Sequence, residues 1–144
     1  MKFTYRPFLE ADTNFILNSW LKSYRSSGVT EHIPSTIYFT EHKKTVLRLM
    51  GDAKILVCCN PEDEEQIFGW TCYEEPLIIH FIYVKYPYRK FGMAKSLYNT
   101  IGSPTITSHL PRSYSELKKK YNLIYNPYDR DTQQFLLDAK RQLL

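Results

Sequence analysis

One stretch, from Leu77 to Ile101, limits the fold more than any other part of the chain. Leu77 to Lys85 is an apolar run with β propensity, Tyr86-Pro87-Tyr88 is a turn, and Arg89-Lys90-Phe91-Gly92-Met93-Ala94 opens an amphipathic helix. Past the glycine, Ala94, Leu97, Tyr98 and Ile101 fall at i, i+3, i+4 and i+7, one apolar helix face. A strand that feeds a helix start leaves backbone N–H groups unpaired and aimed outward, and the helix dipole favours an anion there. Gly92 has no β-carbon to hold a phosphate off the backbone, and Arg89, Lys90 and Lys95 add positive charge to the same turn. The pattern points to a bound phosphate or pyrophosphate.

Composition narrows the class. With 144 residues, 43% of them hydrophobic, including twelve Tyr and eight Phe, the chain is expected to form one domain with a substantial core. A net charge of +4 suits a small polyanionic ligand. The basic residues alternate with acids and form no dense patch, which makes nucleic acid an improbable partner. No apolar run has the length to span a membrane, and Met1 to Pro7 lacks the apolar core of a signal peptide. Cys58, Cys59 and Cys72 lie inside apolar strands, away from any basic group, and read as buried, reduced thiols in a cytoplasmic setting. His32, His42, His80 and His109 show no ligand spacing, so no metal is expected.

Along the chain, Phe3–Pro7 reads as a strand and Thr13–Tyr24 as a helix capped by Asp12, with Ile16, Trp20, Leu21 and Tyr24 inward. A second helix, from Thr36 or Thr40 to Met50, is expected to turn Phe39, Val46, Leu47 and Met50 inward and to stop at Gly51. Strands Ala53–Cys59 and Gln66–Glu74 flank a charged turn, and Leu77–Lys85 follows Glu75-Pro76. Thr105–Ser108 is a short strand, and Ser113 to Glu116 has capping-box spacing before a helix that turns Leu117 and Tyr121 inward. Leu123–Tyr125 is a last strand, and Thr132–Leu144 an apolar-faced terminal helix.

Arg89-Lys90-Phe91-Gly92-Met93-Ala94 fits the [Gln/Arg]-x-x-Gly-x-[Gly/Ala] signature of the GCN5-related N-acetyltransferases, the GNAT superfamily, and Tyr83-Val84 resembles the end of that family's fourth strand. The element order β-α-α-β-β-β-α-β-α-β is similar to the family plan across residues 1–128, with residues 129–144 as an added helix. Ser19 to Arg25 also resembles phage- and prophage-encoded members, which would place the protein in a host cytoplasm. The resemblance implies an α/β (α+β) GNAT fold: a central mixed, mostly antiparallel sheet flanked by helices, with a cofactor cleft between the fourth and fifth strands. It implies acetyl-CoA as cosubstrate, its pantetheine arm along Tyr83 and Val84. The pyrophosphate is implied on amides of Phe91, Gly92, Met93, Ala94 and Lys95, beside Arg89 and Lys90. A primary amine would be the acceptor, attacking the thioester directly. Homodimers are frequent in the family, and the terminal helix offers an apolar face.

Two side-chain roles remain open on this reading. Many GNAT enzymes carry a glutamate on the fourth strand, where this chain has Ile78; His80, two residues on and on the same face by alternation, is a candidate base. It reads equally well as a buried, hydrogen-bonded strand histidine. For the proton donor to the leaving sulfur, Lys118 falls at the family's Tyr position; Tyr114 is the nearest phenol, and Tyr121 reads as core. Glu31 and His32 lie in the loop that helps form the acceptor pocket in the family. An alternative of another class is a GNAT-fold protein that binds coenzyme A without catalysis, as the missing carboxylate suggests.

Overall fold

The computed structural model describes residues 1–128 and 141. Among the described residues, strands and α-helices occur in the expected order: β1 (Thr4–Pro7), α1 (Thr13–Ser26), α2 (Ser35–Asp52), β2 (Lys54–Asn60), β3 (Asp63–Glu74), β4 (Ile78–Val84), α3 (Met93–Thr100), β5 (Ile106–Thr107), α4 (Tyr114–Tyr121) and β6 (Ile124–Tyr125), with short 3-10 turns at Glu10–Asp12 and Tyr86–Tyr88. The terminal helix expected at Thr132–Leu144 lies outside the described residues. None of the described helices is long and apolar enough to cross a membrane.

The six strands form one sheet in sequence order; β1 to β4 are antiparallel, and β5 and β6 join in parallel. A hydrophobic cluster built on Ile16, Trp20, Tyr38, Val46 and Trp70 fills the space between the α1–α2 layer and one sheet face. Two smaller clusters, around Met93 and Leu97 and around Ile79 and Tyr98, pack α3 and α4 on the other face. At Gly69 in β3, an added β-carbon would run into the Tyr83 carbonyl oxygen and stand 3.2 Å from Val84 Cα. The missing side chain thus lets β3 lie close under the end of β4.

Several local expectations change. Asp12 does not cap α1: its carboxylate takes both guanidinium nitrogens of Arg6, at 2.8 and 2.9 Å, and the Leu9 amide of the preceding 3-10 turn at 2.9 Å. A buried arginine on β1 outbids a solvent-facing helix start for that carboxylate. On α2, Phe39 and Leu47 face solvent, and Tyr38, Val46 and Leu49 turn inward. Apolar residues occur on more than one side of this helix, and the Tyr38 hydroxyl, which donates to the Leu21 carbonyl at 2.7 Å, selects the register. Gly51 stays within the helix, which ends at Asp52. Ser113 precedes α4 without a side-chain cap bond, so the capping box does not form.

One irregularity shapes the site. Cys72 pairs with Phe81 and Tyr73 with Ile79, which leaves His80 as an extra residue in β4, a β-bulge. The alternation that would put His80 on the face of Ile78 is broken there. Ile79 packs with the α3–α4 clusters, while Phe81 and Tyr83 pack with the α1–α2 cluster.

Candidate functional site

The bulge sits where β4 and β5 part. β5 pairs with β4 only at Ile78 and Ile79. Beyond that, Thr107 Oγ1 donates to the His109 carbonyl at 2.7 Å and the Leu110 amide donates to the Tyr24 hydroxyl at 3.3 Å, curling the chain toward α1. Pro111, with no N–H, cannot resume a ladder. The outer edge of β4 from Phe81 to Val84 is therefore open, and a cleft of about 850 Å³ enters there. Its walls include His80, Tyr83 and Val84 of β4, Arg89 and Lys95 of the turn and α3, and Tyr121 of α4.

The turn into α3 has the geometry of an anion cradle. Lys90 and Gly92 both have positive φ, 74° and 80°. The amides of residues 90 through 95 have no acceptor among the described residues; the first helical bond here runs from the Ser96 amide to the Gly92 carbonyl, 3.0 Å. A β-carbon at Gly92 would meet nothing within 4 Å, so the space above the glycine is open. Unpaired, convergent N–H groups at a helix start favour phosphate oxygens. The pyrophosphate of coenzyme A fits this donor set.

The expected site residues are placed as follows. Tyr83, Val84, Arg89, Ala94 and Lys95 line the cleft. Arg89 is partly committed, since its Nε donates to the Val84 carbonyl at 2.8 Å and ties the turn to the strand end. Lys90 and Phe91 are exposed beside the cradle. Met93 offers only its amide; its side chain is buried against Cys58, Phe68, Val84 and Leu97. Tyr114 is not in the cleft wall: its hydroxyl accepts the Tyr125 amide at 3.1 Å, directed at β6. The α4 phenol that does line the cleft is Tyr121, its ring tilted against Tyr98 at 5.0 Å between centroids, with no hydrogen-bond partner for its hydroxyl among the described residues. Glu31 and His32 point to solvent, paired to each other at 3.5 Å, while their neighbours Val29, Thr30 and Ile33 line a second cavity.

His80 is 2% exposed, with both ring nitrogens engaged: Nδ1 lies 2.6 Å from Ser108 Oγ and Nε2 lies 3.1 Å from Glu74 Oε2. Glu74 is the cross-strand partner of Ile78, so β3 supplies a carboxylate beside the β4 position that lacks one. His109 and His42 join the same group, their Nε2 atoms 2.9 Å apart. Burial, joined by the nearby His42 and His80, holds His109 well below the usual imidazole range; burial alone lowers His42. Sequence spacing gave no sign of this cluster, because α2, β4 and the segment after β5 meet only in the folded sheet. Among the described residues no group of three or more ligating side chains is arranged to hold a metal ion.

The cysteines lie apart from the cleft wall. Burial pushes the Cys58 thiol up to about 12 and raises Cys59 and Cys72 as well. Thiols held protonated are poor nucleophiles. If the cleft hosts acyl transfer, a folded Cys58→Ala/Cys59→Ser/Cys72→Ala variant should retain it in full, measured as coenzyme A release; a trapped acetyl-thioester on the parent would contradict this.

No protein-family model and no curated protein matches the sequence. Solved structures do share the architecture. A possible acetyltransferase from Clostridium difficile 630 is 16% identical with TM-score 0.55, over 90% of this chain and 95% of that one. A candidate acetyl transferase from Pyrococcus furiosus is 14% identical with TM-score 0.52, over 96% and 91%. The apo form of YjaB from Escherichia coli is 19% identical with TM-score 0.51 over 70% of this chain, which spans 65% of that protein, just under two thirds. The chain has the fold of the GNAT acetyltransferases, with the sheet split between β4 and β5 that the sequence resemblance implies.

Proposed function

We propose that the protein is an N-acetyltransferase that binds acetyl-CoA in the split between β4 and β5 and acetylates a primary amine by direct attack. The observation that carries this reading is the row of amides, residues 90 to 95, that have no partner among the described residues and open onto that split. Acetyl-CoA, when bound, supplies an activated acetyl group as a thioester. The α3 amides and the Lys95 side chain hold the phosphates, and Gly92 lets them reach the backbone. The open edge of β4 at Tyr83 and Val84 offers backbone groups to the pantetheine arm. The histidine group that includes His80 takes up the ammonium proton, and the cleft-facing Tyr121, rather than Tyr114, donates to the departing sulfur.

Acetyl-CoA is expected to bind in the micromolar range, about −8 kcal/mol. Gly92→Val should weaken this at least tenfold by calorimetry, because its side chain fills the space above the cradle. The backbone there is left-handed, so valine also costs about 1–2 kcal/mol of strain. Gly102→Val, at φ +98° beyond the far end of α3, carries the same strain outside the cleft and should bind like the parent. Equal affinity in the parent and Gly92→Val would remove the cofactor reading. Tight binding without transfer to any amine in a screen for released thiol would leave a non-catalytic coenzyme A-binding protein.

A further inference from the structure

A second cavity of about 380 Å³ lies beside the cleft, lined by Thr30, Ile33, His42, Arg48 and Tyr125 among others. The two spaces share Tyr24, His80 and His109. From His42, in the wall of the second cavity, an unbroken chain of hydrogen bonds runs to Glu74. His42 Nε2 lies 2.9 Å from His109 Nε2, His109 Nδ1 lies 3.0 Å from Ser108 Oγ, Ser108 Oγ lies 2.6 Å from His80 Nδ1, and His80 Nε2 lies 3.1 Å from Glu74 Oε2.

With neutral rings the direction of every link is forced. An ionised Glu74 only accepts, so His80 carries its proton on Nε2. His80 Nδ1 then accepts from the Ser108 hydroxyl, whose oxygen accepts from His109 Nδ1–H. His109 Nε2 in turn accepts from His42 Nε2–H. The one ring nitrogen left over is His42 Nδ1, which has no partner among the described residues and belongs to a side chain of the second cavity. Among the described residues, the titratable and charged groups around the chain include Tyr24 and Tyr38, stacked on His42, Arg25 over the Tyr38 ring, Arg48 and Tyr125 in the second cavity, and Cys72 near Glu74. Burial of His42 and His109 favours the neutral rings this polarity needs.

We propose that His42, His109, Ser108, His80 and Glu74 form a proton relay that carries a proton from an ammonium in the second cavity to Glu74 while the amine attacks; this rests on the acetyltransferase reading. The N–H bond of the ammonium breaks as one forms at His42 Nδ1. The His42 Nε2 proton passes to His109 Nε2, the His109 Nδ1 proton to Ser108 Oγ, the hydroxyl proton to His80 Nδ1, and the His80 Nε2 proton to Glu74 Oε2. One cation and one carboxylate become a neutral amine, with its lone pair free to attack, and a neutral carboxylic acid. No net charge is created in the protein. The Glu74 side chain is 13% exposed and holds the proton while the amine attacks. Once the product leaves, Glu74 gives the proton back to His80 Nε2, each link runs in reverse, and the His42 Nδ1 proton passes to water in the second cavity, which restores the starting polarity.

Ser108→Ala tests the relay, because it cuts the hydroxyl link and keeps all three imidazoles and Glu74. In nitrogen-15 spectra of the free parent near pH 7, His42 and His80 should be Nε2–H tautomers and His109 the Nδ1–H tautomer. A proton on His80 Nδ1, or a doubly protonated His109, would overturn the assignment without any turnover measurement. In transfer assays, Ser108→Ala should lower kcat by about 10- to 100-fold, the low end of a positioned proton-transfer path. KM for the amine and affinity for acetyl-CoA should stay level, and Ser108→Thr should restore the rate. A stable Ser108→Ala protein with the parent's kcat and pH profile overturns the relay alone. Absent acetyl-CoA binding in the parent overturns the transferase reading and the relay's role with it.

Discussion

Replacing His80 with alanine should lower turnover by about 10²–10⁴-fold, the usual range for losing a positioned proton acceptor, while acetyl-CoA affinity changes little. His80 is the joint between Ser108 and Glu74, so its loss disconnects the carboxylate from every other member of the group. Its ring lies at the wall of the cleft and away from the α3 amides, which is why binding should survive. The parent's rate should rise with pH as the network sheds protons. Burial lowers His42 and His109, so this limb should fall below the ordinary imidazole value of about 6.5. The variant should lose that limb along with its rate. Stripping the ring takes one partner from each of the half-buried Glu74 and Ser108 side chains, at about 1–3 kcal/mol, so rates must be compared on protein shown to be folded. A folded His80→Ala protein with an unchanged pH–rate profile would exclude His80 from proton transfer.

Asp12→Ala should be the most damaging single change to stability, at about 3–5 kcal/mol. Arg6 and Asp12 are 8% and 5% exposed, and truncating the carboxylate strands a guanidinium inside the protein. The Pro7 and Glu64 carbonyls, which also accept from Arg6, cannot neutralise its charge. Burial would by itself raise the Asp12 carboxyl, but the Arg6 hydrogen bonds, the Leu9 amide and the Arg6 charge outweigh it and hold it below the usual range. A depressed folded value means the contribution is complete above the unfolded value, about 3.9, and is lost as pH falls through the folded one. His42 and His109, also depressed, lose theirs in a different window, as pH falls below about 6.5. Urea unfolding should therefore show parent stability dropping in two ranges, and Asp12→Ala should keep only the upper one. An Asp12→Ala protein within 1 kcal/mol of the parent, with both ranges intact, would show that the pair contributes little.

What the sequence disclosed follows from how local each cause is. The β4–turn–α3 unit was legible because a glycine, a proline and an apolar repeat specify it within about 25 neighbouring residues. Residues that answer to distant partners were not. Asp12 has the composition and position of a helix cap, and only the arrival of Arg6 from β1 gives it another role. Tyr114 and Tyr121 lie two turns apart on one helix, and which phenol meets the cleft depends on β6 taking the first hydroxyl. His42 and His109 stand 67 positions apart, so no spacing rule links them. The bulge at His80 carries no glycine or proline to announce it.

That extra residue has a consequence for how β4 tolerates change. Omit position 80 and the strand reads as strict alternation: Ile79, Ile82 and Val84 toward one helical layer, Phe81 and Tyr83 toward the other. Hydrophobic packing thus has no stake in His80, and a strand one residue shorter would bury the same side chains against the same neighbours. Every other position in the strand is counted by the core; this one is counted only by the polar groups it joins. A chain selected for stability alone would be free to discard it, and the sheet would have one reason fewer to come apart beyond Ile79.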